Sequence, residues 1–275
     1  MKIIGDVYSI DDKINHTLEE KKQNNRIDFI DILTHETSVP TRMVNAYYYN
    51  WYKIGDDWYF FKEISMDWII HELLGEIISK YFNIDTIHYK LVKYNNEYGV
   101  LSKNFCDSNY KYKTLVDYDL PRVSKKLEIF DSIKKICKDN IEYQNLIDTI
   151  KRIIIRDYYV SEYDRCYQNF MFKEDENITF APLYDYERSF IYKQTEKVRG
   201  YLANFSLNDK VIKEIIKNDD LFQELFIKIM DANMGIMLFN LEDEHNIRLN
   251  EEEASHYIKF DQKVKRIVKE SKVIR

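Results

Sequence analysis

The chain has 275 residues, and its 41 Lys and Arg against 47 Asp and Glu leave a net charge of −6. That length rules out a small disulfide-stapled scaffold and fits one large domain or two lobes. The acidic balance argues against a protein built to coat DNA or RNA, which needs surplus cation to neutralise phosphate, although it leaves room for a local basic cleft.

Residues 1–36 are polar and mixed, with an apolar cluster at Ile27, Phe29, Ile30, Ile32 and Leu33. They read as an N-terminal extension carrying one or two short helices and packed on a small β-rich lobe. From about Arg42 the text turns aromatic and β-prone: Tyr47, Tyr48, Tyr49, Trp51, Tyr52 and Ile54, then Gly55-Asp56-Asp57, then Trp58, Tyr59, Phe60 and Phe61. Two aromatic runs around a Gly-Asp turn predict a β-hairpin. After Lys62 the spacing becomes helical, with Ile69, Leu73, Ile77 and Ile78 on one face. A second strand pair is predicted at 89–94 and 98–101, around Asn95-Asn96-Glu97.

Pro121 opens a different regime. Leu127, Phe130 and Ile133 carry one helix, and Leu146, Ile150, Ile153 and Ile154 carry another. Residues 209–240 and 251–272 continue as amphipathic helices. The expected architecture is α+β and bilobal: the extension at 1–36, a small β-rich lobe with one main helix at 37–118, and a mostly helical lobe at 119–275. Cys106, Cys137 and Cys166 are odd in number and lack a Cys-x-x-Cys pair, so neither a disulfide framework nor a zinc knuckle is expected. Residues 1–12 lack the basic and apolar stretches of a secretory signal, and no apolar run approaches the ~18 residues of a membrane span. A cytoplasmic location without membrane or nucleic-acid contact is the expectation.

One stretch of the helical half breaks the pattern. A helix ends near Ser161, and a polar loop continues with Asp164, Arg165, Cys166 and Asn169. A short hairpin, 170–172 and 178–180, then leads to Ala181-Pro182-Leu183-Tyr184-Asp185. This order brings Asp164, Asn169 and Asp185 to one end of a small sheet. Asp-x-x-x-x-Asn, a hairpin and a second Asp suit magnesium-dependent phosphoryl transfer. Asp164 would orient an acceptor hydroxyl, while Asn169 and Asp185 offer the hard oxygens magnesium prefers. Lys62, on the aromatic strand, is placed to reach phosphates; Glu72 on the following helix would hold it, with Glu76 as the alternative partner.

Taken together, these residues resemble the HipA-like serine/threonine kinase family. The likeness runs in order from about Arg42 to Phe190. It rests on Phe60-Phe61-Lys62, His71-Glu72-Leu73-Leu74, the stretch Tyr98-Gly99-Val100-Leu101-Ser102-Lys103-Asn104-Phe105, Asp164-Arg165 with Asn169, and Ala181-Pro182-Leu183-Tyr184-Asp185. The resemblance implies an ATP- and Mg2+-dependent kinase with a protein acceptor, often a toxin with an antitoxin partner. It assigns Asp164 as catalytic base, Asn169 and Asp185 as metal ligands, Lys62 to the phosphates with Glu72 as its partner, and Lys103 to Phe105 as adenine-contacting backbone. Two departures stand out: Cys166 replaces a frequent His, and no Gly-rich loop precedes Lys62. The substitute is Thr37-Ser38-Val39-Pro40-Thr41-Arg42, where Ser38 would be the autophosphorylation site.

Each residue also has a plainer reading. Asp-x-x-x-x-Asn marks many capped turns, Lys62 alone is a solvated strand lysine, and Asp185 with Glu187 and Arg188 could form a surface ion cluster. His71 shows no metal-ligand spacing and reads as a surface or satisfied core histidine. The order of the set favours catalysis. A lipid or small-molecule kinase of the same fold, and a pseudokinase that binds without turnover, are the alternatives.

Overall fold

The structure, a computed structural model, describes residues 1–4, 7–9, 14–17, 51–54, 57–94, 96–106, 109–118, 135–136, 143–162, 165, 169–190, 207 and 209–275. Three short strands, β1 (Lys2–Ile3), β2 (Tyr8–Ser9) and β3 (Ile14–Thr17), precede the hairpin of β4 (Trp51–Ile54) and β5 (Asp57–Glu63). Pairing of Ile54 with Asp57 leaves only Gly55 and Asp56 between the two strands. Helix α1 (Met66–Tyr81) comes next, then the hairpin of β6 (Tyr89–Tyr94) and β7 (Glu97–Lys103). These strands, β1 apart, form one six-stranded sheet in the order β2-β6-β7-β5-β4-β3. The strand, strand, helix, strand, strand order is the one expected from the sequence.

Alternation fixes what each face of the sheet meets. Phe61, Val92 and Leu101 join Tyr52 in a small cluster on one face. Leu91 and Val100 face the other way, into the main core with Ile69, Leu73 and Ile78 of α1. That helix is buried over most of its circumference, including Glu72 and Glu76. Two buried acids on one helix must be paired, because an isolated buried charge is too costly to keep.

The helical half comprises α2 (Tyr143–Val160), α3 (Lys210–Lys217), α4 (Asp220–Asp231), α5 (Met234–His245) and α6 (Glu251–Ser271). Helices α3, α4, α5 and α6 start at Asp209, Asp219, Asn233 and Asn250, whose side chains accept hydrogen bonds from the first-turn amides. A three-stranded sheet, β8 (Lys111–Thr114), β9 (Met171–Glu174) and β10 (Ile178–Phe180), lies beside α2 with β9 in the middle. The strand β11 (Ile247–Arg248) pairs with β1. No helix among the described residues is long and apolar enough to cross a membrane.

Strand β8 falls inside the range 37–118 expected for the small lobe, yet it pairs with β9 of the helical half. Tyr112 and Thr114 alternate inward there and are buried; the six-stranded sheet ends its last strand at Lys103, and the three-stranded sheet begins at Lys111. The N-terminal stretch adds strands to both halves, through β1–β11, β2–β6 and β3–β4. The apolar cluster at 27–33 of the extension expected to carry one or two short helices lies outside the described residues, as does the Leu127–Phe130–Ile133 face.

Candidate active site

Lys62 sits on β5, and α1 starts three residues beyond that strand. This short connection delivers Glu72 to the lysine: Nζ donates to Glu72 Oε1 at 2.6 Å. Glu72 is fully buried, and its other oxygen accepts the backbone N–H of Tyr186 at 2.8 Å. The same ammonium donates to Asp185 Oδ1 at 2.7 Å and pairs with Glu187 Oε2 at 2.8 Å. Asn169 Nδ2 donates to the second Asp185 oxygen at 3.1 Å. Residues from a strand, a helix, a loop and the segment after β10 therefore meet at one point.

The segment 181–190 achieves this by its backbone. Asp185 has φ 66°, a left-handed conformation that Asp tolerates better than most residues. Its N–H donates to the Tyr89 hydroxyl at 3.2 Å. Asp185 and Glu187, two residues apart, reach the same lysine while Tyr186 between them points into the core and is fully buried. On the small-lobe side, Leu183 bonds the 85–87 backbone through Leu183 N–H to the Asp85 carbonyl at 2.8 Å and Ile87 N–H to the Leu183 carbonyl at 3.1 Å. On the other side, Arg165 donates to the Tyr184 carbonyl at 2.7 Å and pairs with buried Asp157 at 3.0 Å.

The electrostatics reflect this packing. Burial alone would lower the Lys62 pKa, but Glu72, Asp185, Tyr89 and Glu187 hold it well above the usual lysine value. Burial raises Glu72 despite the attraction of Lys62. Burial also pushes Asp185 upward, and Lys62, Arg165 and Asn169 together overcome it and draw it below the usual carboxylate range. The lysine thus stays cationic, and Asp185 stays an anion.

Of the residues singled out from the sequence, Lys62, Glu72, Asn169 and Asp185 converge here. Glu76, the alternative partner, faces elsewhere: it pairs with Lys80 at 2.6 Å and His88 at 2.8 Å, and accepts the Tyr89 N–H at 2.8 Å. Lys103 ends β7 opposite Tyr59, three strand positions from Lys62, and its Nζ meets Asp57 at the surface at 2.7 Å. Phe105 packs edge-on against Tyr112 and tilted against Tyr184, with ring centroids 6.0 and 6.2 Å away. Asp164, Cys166, Ser38 and the rest of the loop 37–42 lie outside the described residues. His71 is a buried core histidine, its Nδ1 donating to the Glu187 carbonyl at 2.8 Å.

Glu187 is the site residue that the sequence pattern did not assign. A signal existed: it stands two residues after Asp185, the spacing that puts alternate side chains of an extended segment on one side. The arrangement offers one fixed cation facing anions, with an Asn–Asp oxygen pair beside it. Chemically, that suits holding a phosphorylated ligand and a hard divalent cation.

No family model matches the chain, and no curated protein does. Solved structures resemble it. One is the Helicobacter pylori proinflammatory kinase CtkA, with a TM-score of 0.58 and 16% identity over 81% of this chain and 92% of that one. Another is the Shewanella oneidensis MR-1 toxin–antitoxin system of HipA and HipB with its operator DNA, with a TM-score of 0.59 and 9% identity over 78% of this chain and 58% of the other. At these identities the likeness is one of fold: a bilobal α+β fold of the HipA-like kinase type.

Proposed function

We propose that the chain is an ATP- and magnesium-dependent HipA-like protein kinase that transfers the γ-phosphate to a serine or threonine hydroxyl. The observation that carries this reading is the Lys62 ammonium, held by Glu72 of α1 and facing Asp185, whose second oxygen is held by Asn169. Phosphoryl transfer asks little covalent chemistry of a protein; it needs alignment and charge stabilisation. A buried Lys–Glu pair supplies a positioned cation, and Glu72 keeps it fixed through its bond to the Tyr186 amide.

The donor set fits magnesium. Asp185 and Asn169 bring hard oxygen-bearing groups together at the mouth of the buried pair, and the Asp185 side chain keeps 33% of its exposure. When bound there, the metal would neutralise phosphate charge. Lys62 would bind the phosphates, and Glu72 would keep the ammonium aimed. Asp164, four residues before Asn169's neighbour Gln168, would receive or orient the acceptor hydroxyl. Lys103 to Phe105, at the crossing between the sheets, would contact the base. Ser38 would be the autophosphorylation site, and an antitoxin-like regulatory protein is the partner we favour, in the cytoplasm where ATP is at hand.

Transfer of label from γ-phosphate-labelled ATP to protein acceptors is the test. It should be present in the wild type and lost in Asp164→Ala and Asp185→Ala. Retained transfer in both variants would defeat the assignment. Labelling of lipid vesicles in preference to protein would replace the acceptor class.

A further inference from the structure

Lys62 is surrounded by more carboxylate than a phosphate-binding lysine needs. Its Nζ lies 2.6 Å from Glu72, 2.7 Å from Asp185 and 2.8 Å from Glu187. An ammonium has three N–H donors and no acceptor. Three carboxylates at this range crowd out a phosphate oxygen, and together they outweigh the single cation. One of them must leave before the lysine can take a polyanion.

The three are not held equally. Glu72 is fully buried, with its second oxygen on the Tyr186 amide. Asp185 has Asn169 on its second oxygen and its own amide on Tyr89. Glu187 is held at its carbonyl by His71, but its second carboxylate oxygen faces the Arg188 guanidinium at 3.3 Å. That guanidinium lies over the Trp68 ring, 4.4 Å from its centroid. A cation is therefore already in place beside Glu187. Withdrawing the carboxylate from Lys62 gives up one ion pair and keeps the one with Arg188, so its charge stays compensated.

We propose that Glu187 is a displaceable carboxylate that occupies the phosphate side of Lys62 and passes to Arg188 when nucleotide binds. It is a latch on nucleotide entry, acting through Lys62. The proposal deepens the kinase reading and rests on it for the identity of the ligand. One carboxylate oxygen from each of Glu72, Asp185 and Glu187 lies within 4.8 Å of the other two, and the lysine between them accounts for that cluster without a metal.

The experiment measures magnesium-ADP affinity by calorimetry on the full chain, with melting temperature recorded for every variant. Glu187→Gln should bind about tenfold tighter than wild type, and Lys62→Ala should bind far more weakly. A gain in affinity cannot come from a damaged fold. Arg188→Gln, which removes the receiving cation, should weaken binding several-fold while the melting temperature holds. Equal affinity in wild type and Glu187→Gln, with loss in Lys62→Ala, would overturn the latch and leave the nucleotide site standing. Weaker binding in Glu187→Gln, restored by Glu187→Asp, would overturn it in favour of Glu187 holding the metal. Absence of binding in wild type and all variants would overturn both readings.

Discussion

Gly75 and Tyr186 are packed so closely that no side chain fits between them: a Cβ on Gly75 would stand 2.5 Å from Cβ and Cγ of Tyr186. The Arg156 guanidinium also lies over the Tyr186 ring, 4.3 Å from its centroid, and the Tyr186 hydroxyl donates to the Leu183 carbonyl at 2.9 Å and contacts Thr86. The ring has nowhere to retreat.

Gly75→Ala therefore sets two effects against each other. Alanine favours a helix interior by about 1 kcal/mol over glycine. Overpacking costs about 1–3 kcal/mol, and against a confined aromatic ring the upper part of that range applies. The expected result is a net loss of stability in urea denaturation. Tyr186 lies between Asp185 and Glu187, so nucleotide affinity should fall with it.

Arg165 tests the support beneath the site. It is fully buried, held by Asp157 at 3.0 Å and donating to the Tyr184 carbonyl at 2.7 Å. Arg165→Met should destabilise the protein by less than the ~3–5 kcal/mol of a fully broken buried pair, because Arg156 still holds Asp157 at 2.7 Å. In an Asp157→Asn background the same change should cost clearly less, a coupling that a double-mutant cycle reads directly.

His245, at the end of α5, gives a pH signature. Burial, with His88 and Lys80 nearby, lowers its pKa to about 4 although Glu76 opposes this. The unfolded chain binds a proton near pH 6.5 that the folded chain refuses until about pH 4. Stability from this group is complete above pH 6.5 and declines as pH falls toward 4. The loss is about 1–2 kcal/mol once partial exposure is allowed for. Denaturation midpoints at pH 7 and pH 4.5 should converge in His245→Gln relative to wild type.

The elements were legible because their signals are local. Aromatic runs around a Gly-Asp turn marked β4 and β5, helical spacing marked α1, and the Asn169–hairpin–Asp185 order needed no tertiary knowledge. Strand β8 was not legible: Lys-Tyr-Lys-Thr is short and polar, and only pairing with β9 buries Tyr112 and Thr114. The choice of Glu72 over Glu76 depends on which way α1 is turned against the sheet; spacing alone allows both. The roles of Glu187 and Gly75 were not assigned from the sequence for another reason. Each acts on a partner more than a hundred residues away, Lys62 for one and Tyr186 for the other.

Residues of the sheet, of α1 and of all the later helices belong to a single apolar cluster, in which Leu91 and Val100 stand together with Ile154, Leu241 and Phe260. The main interior is common to both halves, and the six-stranded sheet keeps only the small Tyr52–Phe61–Val92–Leu101 cluster to itself. The two parts should consequently melt in one calorimetric step, with the van't Hoff and measured enthalpies in agreement. A gene severed at the crossing between the sheets should yield two fragments that stay insoluble apart.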